Sequence, residues 1–120
     1  MTPERDFTDF LLDIRDNALS AMSFVRDMSF EEFEQDLRTQ YAVIRALEII
    51  GEATKQVPAV VRRRHRDIPW KEMAGMRDRL VHGYSRVDLR IIWQTAKHDL
   101  PVLQSVFQRL IEKESGLRGR

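Results

Sequence analysis

Asp27-Met28-Ser29-Phe30-Glu31-Glu32-Phe33 is the stretch on which the fold turns. Ser29 followed three residues later by Glu32 reads as a capping box, in which the hydroxyl and the carboxylate each satisfy a backbone N–H at a helix start. A tight turn at Asp27-Met28 therefore ends one helix, and Ser29 opens the next. Upstream, Phe7, Phe10, Leu11, Ile14, Ala18, Met22 and Val25 step by three and four, predicting an amphipathic helix over residues 4–27. Downstream, Phe33, Leu37, Tyr41, Ile44, Leu47 and Ile50 carry a second stripe to about Val57, where Pro58 interrupts it. Two long helices joined this closely must lie antiparallel, so the chain is read as an all-α antiparallel bundle of about four to five helices.

The remaining elements follow from punctuation. A short helical piece is expected from Pro58 to Arg64. Pro69 is tolerated in a first turn, which predicts a helix from Pro69 to His82. Gly75 sits inside that helix at a cost of about 1 kcal/mol relative to Ala, a cost that makes sense if another backbone approaches there. Asp88 can cap a last helix carrying Leu89, Ile92, Trp93, Ala96, Leu100, Leu103, Phe107 and Leu110, which Pro101 should kink or restart after Asp99. Residues 113–120 are expected to fray. There is no strand pattern, repeat or Gly-rich phosphate loop.

At 120 residues the chain is read as one domain, residues 1–120, large enough for an ordinary core. With 42% hydrophobic and 32% charged residues it describes a globular protein, and no apolar run is long enough to span a membrane. The acidic, polar start Met1-Thr2-Pro3-Glu4-Arg5-Asp6 is unlike a signal peptide, and zero Cys excludes disulfides, so a cytoplasmic location is expected. The net charge of +1 hides a division. Residues 1–61 hold 6 Lys/Arg against 12 Asp/Glu, residues 62–90 hold 9 against 4, and residues 91–120 hold 5 against 3. Positive charge thus gathers around residues 62–90, where it suits a polyanion. Arg62, Arg63, Arg64, Arg66 and Arg79 are the candidate RNA contacts, while His65 among them reads as part of an exposed basic turn.

Within that segment, Met76-Arg77-Asp78-Arg79-Leu80-Val81-His82-Gly83-Tyr84 gathers a guanidinium, a carboxylate, an imidazole and a phenol at one helix end. Asp78 and His82 are four apart and share a face, so the carboxylate can fix the imidazole's tautomer. Gly83 is a helix-stopping residue that leaves His82 beside the negative end of the helix dipole. Arg77 and His82 are about 140° apart round the axis, so they converge only if Arg77 wraps back or if two chains each supply a pair. If the substrate is RNA, its own 2′-hydroxyl is the nucleophile, and the protein need supply only acid/base help and charge stabilisation. His82, with an ordinary pKa of about 6.5, can carry the proton. Arg77 cannot deprotonate and suits a dianionic phosphorane. No His/Asp/Glu group has metal spacing, so neither metal nor cofactor is expected. Glu52, after Gly51 in an apolar helix, is either a solvated residue or a buried acid; the buried reading is preferred, paired with Arg77 or Arg79 and supporting the site. A second reading, a non-catalytic helical adaptor or nucleotide-binding module, makes these residues simple helix caps.

Arg77, four residues, His82, one residue, Tyr84 resembles the Arg-(four)-His-x-Tyr signature of HepT-like toxins of the HEPN superfamily. Ala46 to Ala53 is similar to that family's second-helix motif, Ile68 to Met76 to its approach to the signature, and Val87-Asp88-Leu89 through Trp93 to Leu100-Pro101 to its last helix; together the resemblance covers roughly residues 5–112. It implies a HEPN-type bundle and a metal-independent endoribonuclease toxin of a two-gene module. It also implies a homodimer whose site forms where two protomers' signature helices meet, with Arg77 and His82 catalytic. Tyr84 would be the acceptor of adenylyl groups from a cognate MNT-type nucleotidyltransferase antitoxin, each AMP adding negative charge beside the site.

Overall fold

The computed structural model describes the backbone of residues 6–82 and 88–118, and the side chains of all of these but 77–82 and 116–118. Four long helices carry the core: α1 (Phe7–Phe24), α3 (Leu37–Gln56), α5 (Trp70–His82) and α7 (Leu100–Arg118), with short α2 (Phe30–Glu34), α4 (Ala59–Arg64) and α6 (Leu89–Gln94) between them. No strand occurs among the described residues. The fold is the all-α bundle expected from the periodicity. α3 packs on α1 and on α5, and α7 packs on α1.

Each helix start is written in its cap. Asp6 accepts from the Thr8 N–H at 2.9 Å and opens α1. The Ser29–Glu32 box is complete, with the Glu32 N–H donating to the Ser29 hydroxyl at 3.1 Å and the Ser29 N–H to the Glu32 carboxylate at 2.9 Å. Pro58 starts α4, Pro69 precedes α5, and Asp88 caps α6 by accepting from the Arg90 and Ile91 N–H groups. At the far end of α1, Lys97 Nζ donates to the carbonyls of Val25 at 2.9 Å and Arg26 at 2.7 Å, a cation satisfying oxygens that the helix end leaves unpaired.

The second helix differs from expectation. It breaks after Glu34 and restarts at Leu37, because Asp36 accepts from both the Thr39 N–H at 3.0 Å and the Thr39 hydroxyl at 2.8 Å. Gln40, 9% exposed, then donates to the Phe33 and Glu34 carbonyls and closes the end of α2. The break changes the register of the stripe. Leu37 and Tyr41 are 58% and 65% exposed, and the buried positions of α3 are Gln40, Val43, Ala46, Leu47, Ile50, Gly51, Ala53 and Thr54.

The regular α-helix gives way before Pro101 to a π-helical turn over Thr95–Asp99 and resumes at Leu100, whose N–H bonds to the Thr95 carbonyl. α7 then continues through Arg118, past the point where fraying was expected, and Glu114 within it is buried. Residues 119–120 lie outside the described set. Core anchors are large: Phe33 from α2 and Phe107 from α7 are fully buried, and truncating either to Ala would cost about 3 to 5 kcal/mol.

Candidate active site on the fifth helix

α5 is held at its first residue. Trp70 Nε1 donates to the His65 carbonyl at 2.9 Å, and the Trp70 ring meets Phe107 edge-on with centroids 5.8 Å apart. Trp70 and Met73 are both buried, so the face containing them is turned to the bundle. At about 100° per residue, Arg77 lies on that same azimuth, four residues beyond Met73 and seven beyond Trp70. Lys71, Gly75, Asp78 and His82 fall within about 60° of one another on a different face. His82 is the final residue of α5, in its last turn. The backbone therefore carries Arg77, Asp78, Arg79 and His82 on the last two turns of one helix, while their side chains lie outside the described residues. Tyr84 lies outside them altogether.

Gly75 sits on the His82 face, and a Cβ built there meets no heavy atom within 4 Å. The expected close approach of another backbone is therefore not made within this chain. Among the described residues, nothing packed against Gly75 explains why a helix-weakening residue stands there.

Glu52 corrects the sequence reading. It is exposed on α3 instead of buried, while its expected partners, the Arg77 and Arg79 side chains, lie outside the described residues; it lines a shallow groove of about 300 Å³ whose other walls include Phe10 and Asp13 of α1. The physical reason is azimuth: at about 100° per residue Glu52 lies about 140° from Leu47 and about 160° from Ile50, off the face that those buried residues turn to the core.

The basic tract is divided in a way its sequence did not show. Arg64 and His65 reach Glu114 of α7: Arg64 donates to Oε1 at 2.8 Å and to Oε2 at 3.2 Å, and His65 Nε2 lies 2.7 Å from Oε2. His65 is 12% exposed, not part of an exposed turn. Burial pushes the Glu114 carboxyl up, but the hydrogen bonds from Arg64 and His65 outweigh that and hold it below the usual carboxylate range. Arg64 is thus engaged structurally, whereas Arg62, Arg63 and Arg66 line a groove of about 530 Å³ with Pro69, Trp70 and Lys71 at the start of α5. Glu114 was missed from sequence. Its signal was spacing, since it continues Phe107 and Leu110 by seven and four on a buried face.

A helical bundle that carries Arg77 and His82 at one end of a helix whose other end borders a basic groove is compatible with the architecture that the resemblance implies. Comparison with known proteins agrees. Residues 14–110 match the family described as "Ribonuclease HepT-like". The chain is 49% identical over 107 residues to a "Probable ribonuclease HepT" of Thermococcus cleftensis, covering 89% of this chain and 97% of that one. It is 44% identical over 110 residues, 92% of this chain and 95% of the other, to a protein of Methanocaldococcus jannaschii named "Putative RNase". A protein of the same name from Caldanaerobacter subterraneus is 46% identical over 90 residues, 75% of this chain and 80% of its own. No solved structure matches. The chain belongs to the HepT-like ribonuclease family. No helix among the described residues is long and apolar enough to cross a membrane.

Proposed function

We propose that this chain is a metal-independent endoribonuclease acting through Arg77 and His82, the toxin of a two-gene module whose partner is an MNT-type nucleotidyltransferase. The observation that carries the reading is the placement of both residues on the last two turns of α5, in a chain of the HepT-like family. His82 takes the proton from a ribose 2′-hydroxyl, and the freed oxygen attacks the adjacent phosphorus. Arg77 offsets the charge of the pentacoordinate phosphorane. The bond to the 5′-oxygen then breaks, that oxygen receives a proton, and the products are a 2′,3′-cyclic phosphate and a 5′-hydroxyl.

The azimuths of Arg77 and His82 differ by about 140°, so one helix does not aim both at one phosphate without help. A homodimer solves this by bringing the C-terminal ends of two α5 helices together, so that Arg77 of one protomer and His82 of the other serve one phosphate. Gly75, open on the His82 face, gives the second helix room to approach. Asp78, one turn before His82, orients its imidazole. Arg62, Arg63, Arg66 and Arg79 supply positive field for the RNA backbone. Tyr84, two residues from His82, is the site at which the partner adds AMP and silences cleavage.

The deciding experiment is cleavage of mixed cellular RNA by the purified protein in EDTA, with His82→Ala beside it. Cleavage by the wild type alone is expected. Equal cleavage by His82→Ala overturns the mechanism, and no cleavage by either favours a non-catalytic adaptor.

A further inference from the structure

The groove between α4 and the start of α5 lies well away from His82. Its walls carry Arg62, Arg63, Arg66 and Lys71 against a single acid, Glu72. Arg62 Nε is buried and has no hydrogen-bond partner among the described residues, an arrangement that costs free energy unless a ligand or solvent completes it. Arg63, Arg66 and Lys71 are exposed. The neighbouring cation, Arg64, is withdrawn by its bond to Glu114, and that bond together with His65 fixes the turn on which the other arginines stand. The groove also receives the N-terminal end of a 13-residue helix, whose first N–H groups and dipole add positive potential.

We infer that this groove is a second RNA contact, a subsite for backbone phosphates distant from the cleaved one. The inference rests on the ribonuclease reading for its choice of ligand. α5 itself sets the spacing. Twelve residues separate Trp70 from His82, which is about 18 Å at a rise of about 1.5 Å per residue. At a stacked spacing of about 3.4 Å per nucleotide, that is roughly five nucleotides, and fewer if the strand is stretched. An RNA strand running along α5 thus places its scissile phosphate at His82 and phosphates a few nucleotides away among Arg62, Arg63, Arg66 and Lys71. RNAs too short to reach both are held only at the cleavage end. The contacts are to phosphate, so they add affinity without reading sequence.

Binding separates this from the chemistry. Full-length His82→Ala, which keeps RNA intact, is titrated in EDTA with fluorescent RNAs of 3 and 12 nucleotides over a range of salt. Added to it are Arg63→Gln, Arg66→Gln and Lys71→Gln together, with Arg45→Gln, exposed on α3 and outside the groove, as the control for net charge. Circular dichroism checks that each variant is folded. The triple variant should bind the 12-mer at least tenfold more weakly, with the slope of log affinity on log salt smaller by about 2, at about 0.7 per lost contact. Trinucleotide binding should be unchanged, and Arg45→Gln should lose less than threefold. Equal losses for the two RNAs, undiminished 12-mer binding by the triple variant, or no 12-mer binding by the parent would each overturn the subsite. Cleavage by the wild type is scored separately: if it cuts RNA while the groove variant binds normally, only the subsite fails. If it cuts none while the groove still holds the 12-mer, only the ribonuclease reading fails.

Discussion

Nε2 of His65 lies 2.7 Å from Oε2 of Glu114, joining residues 49 apart in sequence through a carboxylate that is 1% exposed. The contact ties the connection between α4 and α5 to the last helix. Arg64 completes it from the more open side, where it is 43% exposed. Removing the carboxylate leaves a buried imidazole unpaired and a void beside it, while Arg64 can turn to water. Glu114→Ala should therefore cost on the order of 2 to 3 kcal/mol, and Glu114→Gln less, measured as urea midpoints.

The same contact sets a pH dependence. The folded carboxyl of Glu114 is lowered from 4.5, its ordinary value, so its contribution is full above that value and is lost as pH falls through the folded pKa. Wild-type stability should decline from pH 4.5 downward more steeply than that of Glu114→Gln. Parallel declines in the two proteins would remove Glu114 from the account.

Catalysis should fall with either member of the pair on α5. His82→Ala and Arg77→Ala are each expected to lower RNA cleavage by at least about 10²-fold while helicity is retained. EDTA should leave wild-type cleavage unchanged. Dependence on an added divalent cation would disprove the metal-free mechanism.

Assembly is tested at Gly75. Because, among the described residues and beyond the surrounding backbone of α5 itself, no heavy atom lies within 4 Å of a Cβ there, Gly75→Ala should be tolerated by the monomer and gain up to about 1 kcal/mol of helix stability. Gly75→Leu should instead push a second α5 away, giving a folded monomer without cleavage activity in sedimentation and RNA assays. A Gly75→Leu protein that sediments as the wild-type dimer would show that α5 helices do not pair there.

Control is tested at Tyr84. Given ATP, Mg²⁺ and the partner nucleotidyltransferase, the wild type should gain AMP mass and lose activity. Tyr84→Phe should remain active and unmodified, since no proton transfer in the mechanism needs the phenol. An equal mass gain by Tyr84→Phe would place the modification elsewhere.

Helix starts were legible because a cap is a local event: Ser29 with Glu32, Pro58, Pro69 and Asp88 each decide a boundary within a few residues. The break at Gln35-Asp36 was not, because Phe33, Leu37 and Tyr41 keep a four-residue spacing that imitates one continuous helix. Only the tertiary fold shows Gln40 reaching back to the Phe33 and Glu34 carbonyls. Glu52 was misplaced for another reason: its apolar neighbours suggested burial, but its azimuth on α3 is far from that of Leu47 and Ile50. The placement of Arg77 and His82 at the end of one helix was legible, because Pro69 announces where that helix starts. The partition of the Arg62 to Arg66 tract was not, since the residue that withdraws Arg64 and His65 stands near the far end of the chain.

The π-helical turn at Thr95–Asp99 works as a phase setting between two halves of a continuous rod. It accommodates one residue more than an α-helix would, which displaces everything after it by about 100° round the axis. Buried Ile92 precedes it, buried Ala96 lies within it, and Leu100, Phe107, Leu110 and Glu114 follow on the azimuth it sets. Deleting a single residue within the turn would restore a regular helix and rotate Glu114 away from His65, leaving composition almost untouched. Insertions and deletions here should consequently be far less interchangeable than substitutions: the length of this segment, more than its residue types, is what keeps the last helix in step with the basic turn.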